Sequence, residues 1–600
     1  MTTALPDDLR CKVEEWLQFD KNPSTRAEVE DMVAANDTEK LREVMMGRLL
    51  FGTAGLRGRM GAGYDRMNDL VIIQTSQGLV KYLLQMIPDA ISRGIVIGHD
   101  SRHNSHRFAR LAASAFLLAG VPVHLYSKIC PTPFVPFAVK ELGAAAGVMV
   151  TASHNPKEDN GYKVFWSNSA QIIPPHDSGI QSCIEQDLTP WPGVWDVDAA
   201  ISNPKLSDPL TDMSDKYYSR LGASMLDKTV NANTPLQFTV TAMHGVGHRY
   251  VVEAFKAAGF KPFVPVVEQM EPDPEFPTVR FPNPEEGKSA LDLSFAAADA
   301  AASTIILAND PDADRLALAL KLDSGWKVFT GNEEGALFGW WAWQRYLKQQ
   351  PQVAPQDVYM IASTVSSKIL GAIARKEGFN FEETLTGFKW MCNKACDLID
   401  QGKTVLFAFE EAIGFMNGIE VLDKDGVSAA VVLAEMAAHL QTQGRTLHDQ
   451  LIEIYKTYGY HVSNNSYFIC QDQEKIDKIF DRMRNFGAPK TYPTSVCGGK
   501  YNVSNVRDLT TGYDSSTADK KATLPVTPSA QMITFCFSNS CVVTLRTSGT
   551  EPKIKYYSEM CATPQQTDWV ALEEELTELV TAVVEELLQP TLNNLIPKPE

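Results

Sequence analysis

Short apolar runs, each closed by a polar loop, recur through the first 460 residues, and stretches of helical period lie between them. Residues 94–98, 121–126, 144–150, 238–242, 304–308, 316–320, 358–363 and 404–408 read as buried strands. Residues 107–119, 249–258 and 367–377 read as helices that alternate with them. Alternation of this kind predicts mostly parallel sheets covered by helices, an α/β fold. The two ends depart from it. At the start, Leu9, Val13, Trp16 and Leu17 recur at helical spacing, and Ser24 to Glu28 resembles a cap before a second helix. Past residue 460, 532–537 and 542–546 predict a hairpin, 569–588 a long amphipathic helix, and 505–523 a mobile polar surface loop.

Six hundred residues exceed one core at roughly 100–200 residues per domain, and proline clusters mark the breaks. Thr189-Pro190-Trp191-Pro192-Gly193 and 204–209 close a first unit. Glu271-Pro272-Asp273-Pro274-Glu275-Phe276-Pro277 is expected to be a loop inside the second, and 460–465 a linker into the last. The formal net charge of −18 argues against nucleic acid or an anionic membrane as partner, so an anionic ligand needs a locally assembled positive pocket. No stretch of 18 apolar residues occurs, and the first residues lack the basic and apolar segments of a signal peptide. The expectation is a soluble cytoplasmic protein with reduced cysteines and no zinc site.

The run 144–150 leads into Thr151-Ala152-Ser153-His154-Asn155-Pro156-Lys157-Glu158-Asp159-Asn160-Gly161-Tyr162-Lys163. A loop beyond the carboxyl end of a parallel strand is where α/β folds place chemistry. Pro156 disfavours helix at Asn155, so the loop is expected to be extended and Ser153 presented rather than buried. A serine nucleophile needs a base, and a phosphate on it needs cations; His154 and Lys163 are candidates for the two roles. Upstream, 50–63 packs glycines around Arg57 and Arg59, with a spacing that matches neither G-x-G-x-x-G nor the P-loop. It reads either as a connector or as a place where backbone amides and Arg57 approach a phosphate.

After 304–308 come Asp310, Asp312 and Asp314, which extended backbone would point one way. Three like charges so close need a cation, and an all-oxygen set suits magnesium. An EF-hand is excluded, because Arg315 stands where glycine is required and Lys321 where glutamate is required. Thr386 to Trp390 reads as a turn holding Lys389. Glu410 and Glu411 follow the run 404–408, and carboxylates accept paired sugar hydroxyls. Lys424 could donate or accept a proton nearby. Arg546, Ser548, Gly549 and Thr550 combine a guanidinium, hydroxyls and backbone amides, the parts of a phosphate cradle. Each loop alone has an ordinary reading as a turn, connector or solvated face. Together they fit phosphoryl transfer within a sugar phosphate. Acyl transfer would need a G-x-S-x-G elbow, and an NTPase a Walker A loop, and the chain has neither.

Thr151-Ala152-Ser153-His154-Asn155-Pro156, Asp310-Pro311-Asp312-Ala313-Asp314-Arg315, the Glu410 loop and Arg546-Thr547-Ser548-Gly549-Thr550-Glu551-Pro552 occur in the order of the α-D-phosphohexomutase motifs. The chain resembles that superfamily over roughly residues 45–600. Phe51-Gly52-Thr53-Ala54-Gly55-Leu56-Arg57-Gly58 and Phe409-Glu410-Glu411-Ala412-Ile413-Gly414-Phe415 look most like the branch of phosphopentomutases and glucose 1,6-bisphosphate synthases. The resemblance implies a heart-shaped molecule of four domains behind an N-terminal helical arm at 1–50. These are three related α/β domains, at 51–210 with the phosphoserine loop, 211–330 with the metal loop and 331–460 with the sugar loop. A TATA-box-binding-protein-like α+β domain at 461–600 follows and binds phosphate.

By the same resemblance, Ser153 carries the phosphate, and Asp310, Asp312 and Asp314 hold Mg2+ against it. Arg57, His154 and Lys163 surround the transferring group, Lys389 and Lys424 lie near the sugar, and Glu410 binds its hydroxyls. Arg546, Ser548, Gly549 and Thr550 grip the phosphate that is not reacting. The implied reaction interconverts sugar 1-phosphate and 5- or 6-phosphate through a sugar bisphosphate, which also serves as activator. Ala412 stands where many members have serine, and Phe415 where bacterial phosphomannomutase-type enzymes have histidine. These departures together with the resemblance to that branch favour ribose or deoxyribose 1-phosphate, with glucose 1-phosphate as a secondary substrate. A glucose 1,6-bisphosphate synthase and a non-catalytic sugar-phosphate sensor are the alternatives, and a monomer acting on small molecules is expected.

Overall fold

The structure is a computed structural model that describes residues 5–286, 288–350, 354–548 and 552–598. The N-terminal arm is three helices, Asp7–Phe19, Pro23–Ala34 and Thr38–Met46, rather than two. The second starts earlier than Ser24. Pro23 takes the first helical position, and Asn22 becomes the cap, its side chain accepting from Ser24 N. Leu9, Val13 and Trp16 pack with Val29, Met32, Leu41 and Val44, and with Ala62, Tyr64 and Leu70 from the segment that follows. Tyr64 also donates its hydroxyl to Glu15 Oε1 at 2.8 Å. Tyr64→Phe is expected to cost about 1.5–3 kcal/mol, the worth of a hydrogen bond to a charged acceptor. Thermal denaturation beside wild type measures it.

The chain divides into two compact units. One comprises Met1–Glu334, Trp341–Gln352 and Gly387–Leu447, and the other Gly335–Trp340, Val353–Thr386 and His448–Glu600. In the first unit, β1 (Leu56–Arg59), β2 (Ile95–His99), β3 (Val123–Leu125), β4 (Ala146–Val150), β5 (Asp159–Phe165) and β6 (Leu206–Ser207) form a sheet in the order β1-β5-β4-β2-β3-β6. Strands β4, β2, β3 and β6 run parallel, and β5 is the reversed strand, antiparallel to β4 on one side and to β1 on the other. Every residue of β2 and β4 is buried, which is why both read as continuous apolar runs. Helices Asp69–Met86 and Ser105–Leu118 supply much of the core around them, through Ile72, Leu79, Leu83, Phe108 and Phe116.

A second sheet repeats this plan. Strands β7 (Phe238–Thr241), β8 (Val264–Pro265), β9 (Ile305–Ala308), β10 (Ala317–Leu322) and β11 (Gly325–Val328) lie in the order β11-β10-β9-β7-β8. Strands β9, β7 and β8 are parallel, and β10 folds back antiparallel on β9. The serine loop joins β4 to β5 and the aspartate loop joins β9 to β10, so the two occupy the same place in their sheets. The Glu410 loop repeats the motif a third time, between antiparallel strands whose ends are Thr404–Glu410 and Gly414–Asn417.

The second unit holds a parallel pair, Val358–Ser363 and Asn380–Thr384, and a mostly antiparallel sheet with helices. The hairpin Met532–Phe537 and Cys541–Thr547 forms as read from the sequence. Helix Trp569–Val583 continues through a π turn to Leu588, and its Leu576, Leu579 and Val580 bury against Phe535, Val543 and Leu545. Two expectations are corrected. The stretch 460–465 is not a plain linker, because His461–Ser463 pairs with Lys553–Cys561. Residues 505–508 are not loop but the end of strand Tyr501–Asp508, where buried Asp508 receives Arg484 Nε at 2.7 Å and the Tyr492 hydroxyl at 2.9 Å. Among the described residues no helix is long and apolar enough to cross a membrane, and the ten cysteines are free.

Candidate active site

The chain does not leave β4 in extended form. Asn155 N donates to Ala152 O at 3.1 Å and Asp159 N to Pro156 O at 3.1 Å, so two turns follow each other. Pro156 fixes its own φ and disfavours helix at Asn155, and neither constraint bars the two turns. Ser153 takes the left-handed region at φ 54°, and its N–H donates to Thr151 Oγ1 at 2.9 Å. Such a conformation costs a non-glycine residue about 1–3 kcal/mol and persists where surrounding contacts impose it. Ser153 is 3% exposed, so the expectation of a presented serine is corrected. Its hydroxyl lies 3.1 Å from Asp310 Oδ2 and 3.2 Å from His154 Nδ1.

The aspartate loop is likewise a turn and not extended. Ala313 sits at φ 54°, its N–H donates to Asp310 O at 2.9 Å, and Arg315 N donates to Asp310 Oδ1 at 3.0 Å. A neighbouring loop presses against it so closely that a Cβ on Gly245 would fall 2.2 Å from Pro311 Cα. The tight turn still brings the three carboxylates together: one oxygen of each lies within 4.8 Å of the others, and all three residues are buried. Lys163 Nζ stands 2.7 Å from Asp312 Oδ2 and 3.0 Å from Asp314 Oδ2, and Lys424 Nζ 3.3 Å from Asp314 Oδ2. Arg315 Nε faces Asp314 at 3.8 Å, and Thr132 Oγ1 donates to Asp312 Oδ2 at 2.6 Å.

Burial, and then the charges of Asp312 and Asp314, push the Asp310 carboxyl well above the usual carboxylate range. Burial works the same way on Asp314, but Lys163, Lys424 and Arg315 outweigh it and hold that carboxylate far below its ordinary value. Asp312 Oδ1 and Asp314 Oδ1 are buried and accept no hydrogen bond. Buried carboxylate oxygens without donors, in an oxygen-only set, fit a hard divalent cation.

The strand register explains the cations. Lys163 lies on β5 opposite Met149 of β4, and Arg57 lies on β1 opposite Gly161 of β5. Gly55, at φ 75°, makes the approach possible, since a Cβ there would sit 1.9 Å from Tyr162 O. Arg57 donates to Asn155 Oδ1 at 3.3 Å and so meets the serine loop. Lys424 precedes Asp425, the cap of helix Gly426–Gln441. Its stem fills the space that a Cβ on Gly414 would occupy, 2.4 Å from Lys424 Cδ. Burial opposes its charge, but Asp314, Asp423 and Glu410 hold the ammonium well above its ordinary value. Those carboxylates favour the charged form of Lys424, which makes it a cation facing the aspartate cluster.

Glu410 ends its strand beside these groups, with burial raising its carboxyl and Lys424 and Arg315 pulling the other way. Lys389 is in the first turn of helix Phe388–Asp400 rather than in a free turn, and it bonds Thr53 Oγ1. Arg315 has no role among the sequence-predicted site residues, although a cation next to three carboxylates is a usable signal. Thr132 carried no signal, because it lies far from Asp312 in the chain.

In the second unit, Arg546 lies on the strand Cys541–Thr547 and donates to Thr386 Oγ1 at 3.0 Å and to the Tyr557 hydroxyl at 3.2 Å. Ser548 N donates to Lys553 O at 2.9 Å. Gly549 and Thr550 lie outside the described residues.

Comparison with known proteins matches three family models in chain order. These are phosphoglucomutase/phosphomannomutase α/β/α domain I at residues 48–190, domain II at 215–323 and domain III at 340–458. The chain is 55% identical to a human phosphopentomutase, with 99% of each chain covered. It is 53% identical to a human glucose 1,6-bisphosphate synthase, covering 98% of this chain and 96% of that one. A solved phosphoglucomutase/phosphomannomutase family protein from Burkholderia thailandensis superposes with a TM-score of 0.62 at 19% identity, over 90% of this chain and 98% of that one.

Proposed function

Because the chain belongs to the phosphoglucomutase/phosphomannomutase family, we propose that it is a sugar-phosphate mutase that works through Ser153 and favours pentose 1-phosphate. The observation that carries the reading is the Ser153 hydroxyl 3.1 Å from Asp310, within a buried cluster where Lys163, Lys424 and Arg315 face three carboxylates. Phosphoryl transfer asks for positioning and charge neutralisation more than for covalent chemistry, and this cluster is built for both.

In the proposed cycle, phosphate on Ser153 passes to a sugar 1-phosphate, and the other phosphate of the resulting bisphosphate returns to Ser153. The same bisphosphate primes a resting serine. Arg57, Lys163 and Lys424 balance the charge of the transferring group. His154 Nδ1, 3.2 Å from the hydroxyl, takes the serine proton when phosphate returns. Asp310, Asp312 and Asp314 would hold magnesium, which when bound would supply electrophilic neutralisation of the phosphoryl oxygens. Glu410 accepts sugar hydroxyls, and Lys389 lies near the sugar. Arg546, braced by Thr386 and Tyr557, is a phosphate-binding group, joined by Ser548, Gly549 and Thr550.

Pentose preference rests on the relatives named phosphopentomutase and on the sugar loop, where Ala412 offers no hydroxyl. Ala412→Ser is expected to raise kcat/KM for glucose 1-phosphate relative to ribose 1-phosphate by about two- to tenfold, the span of a hydrogen bond worth about 0.5–1.5 kcal/mol. The near-equal identity to a glucose 1,6-bisphosphate synthase keeps a second reading in play, in which an acyl phosphate charges Ser153 and the bisphosphate is released. Parallel measurement of kcat/KM on ribose 1-phosphate and glucose 1-phosphate, with magnesium and trace sugar bisphosphate, separates the two. A pentose preference is expected. Negligible turnover of both sugars, with bisphosphate accumulating from an acyl phosphate, would assign the synthase.

A further inference from the structure

Arg102 plays no part in the cycle above, yet it is the most heavily committed side chain around the serine loop. It follows β2 and is 4% exposed. Its Nη2 donates to Ser153 O and to Asn155 O, both at 2.6 Å. Its Nη1 donates to Pro156 O at 2.7 Å and to Asp159 O at 3.2 Å. Nε faces Asp100 Oδ2 at 3.4 Å. Four carbonyls of one loop therefore converge on one guanidinium. Four such dipoles cannot point at a common centre without a cation there, and only a planar fork with several N–H groups reaches all of them.

The outer face of that guanidinium is covered by the segment 271–277, which belongs to the second α/β region. Asp273 turns this chain: its carboxylate accepts from Glu275 N at 2.9 Å and its carbonyl from Phe276 N at 3.2 Å. Phe276, at φ 46° and 4% exposed, is thereby laid under Arg102 with 5.1 Å from ring centroid to guanidinium carbon. Glu275 ties the serine loop to the segment that carries Arg102, bonding Lys157 Nζ of the one and His103 Nε2 of the other, each at 2.6 Å. The aspartate loop and this brace come from the same region, and both bond the serine loop.

We propose that Arg102, backed by Phe276 and latched by Glu275, is a positioning residue that locks Ser153 in its left-handed conformation and sets its hydroxyl in register with Asp310. The claim rests on Ser153 being the phosphate carrier. Arg102 itself touches neither the sugar nor the transferring phosphate; it acts through the Ser153 carbonyl.

Arg102→Lys keeps the charge and loses the fork, while Phe276→Leu and Glu275→Gln leave the guanidinium in place and remove its backing and its latch. The expected result for Arg102→Lys is a fall in kcat of about tenfold to a hundredfold, the cost of a displacement near 1 Å, with KM for the sugar phosphate unchanged within about threefold. Phe276→Leu should follow in the same direction by a smaller factor, and added guanidinium should restore part of the activity of Arg102→Ala. A folded Arg102→Lys with wild-type kcat would overturn the proposal. If Arg102→Lys does not fold, Phe276→Leu and Glu275→Gln decide: wild-type kcat in both overturns it, and a kcat loss without a KM change supports it. Phosphorylation of Ser153 in wild type, followed by mass after exposure to sugar bisphosphate, is measured beside them. Its absence would remove the phosphoserine reading, whereas its presence with unaffected variants removes only the positioning role.

Discussion

Ser153→Ala is expected to reduce sugar 1-phosphate turnover by at least about a thousandfold, because a nucleophile that carries the group between two positions has no substitute in the site. No other hydroxyl among the described residues is placed both 3.1 Å from the aspartate cluster and beside a histidine in the way Ser153 is. The substitution removes one buried oxygen and leaves the Thr151 to Arg102 scaffold of the loop in place, so the protein is expected to fold. Two measurements belong together. A coupled assay reads turnover, and intact mass after exposure to sugar bisphosphate reads whether a phosphoryl group is gained. Wild type should gain one group and the variant none. Turnover surviving in Ser153→Ala would overturn the phosphoserine cycle.

Removal of the cation is expected to be nearly as severe. Chelation of wild type should lower turnover by about a hundredfold or more, reversibly on adding magnesium, because in the proposed cycle a cation on the aspartate cluster neutralises the phosphoryl oxygens. Asp314→Asn should fall by a similar factor and require more magnesium for half-maximal activity. That variant also takes from Lys163 and Lys424 their shared partner, at 3.0 Å and 3.3 Å, and disrupting a buried pair costs about 3–5 kcal/mol. Its melting temperature should drop as well. Chelation alters no residue, so it separates the metal's role from that of the fold. Undiminished turnover in chelator would remove the metal from the mechanism.

The elements most legible in the sequence were those whose burial is complete. Strands β2, β4 and β9 are buried along their whole lengths, and a strand covered on both faces must be apolar throughout. The arm was read only in part, because its third helix depends on Asp37 as a cap and on packing against Tyr64. The stretch 460–465 read as a linker because its polar residues hide a short strand that exists only where Lys553–Cys561 is there to pair with it.

For the site, the division follows from how chemistry is written in a chain. The residue types and their local grouping were present in one dimension: a serine beside a histidine, three alternating aspartates, an arginine among hydroxyls. These determined the reaction class, because phosphoryl transfer needs those groups whatever their exact placement. Tertiary structure alone decided their state. Ser153 is buried because the aspartate loop of another sheet meets it, and the charged form of Lys424 is favoured because Asp314, Asp423 and Glu410 lie around it. Lys163 and Asp312, Thr132 and Asp312, and Arg102 and Phe276 become neighbours only when two sheets of the same plan are folded and packed. Burial and long-range electrostatics are sums over contacts distant in sequence, and no local pattern records them.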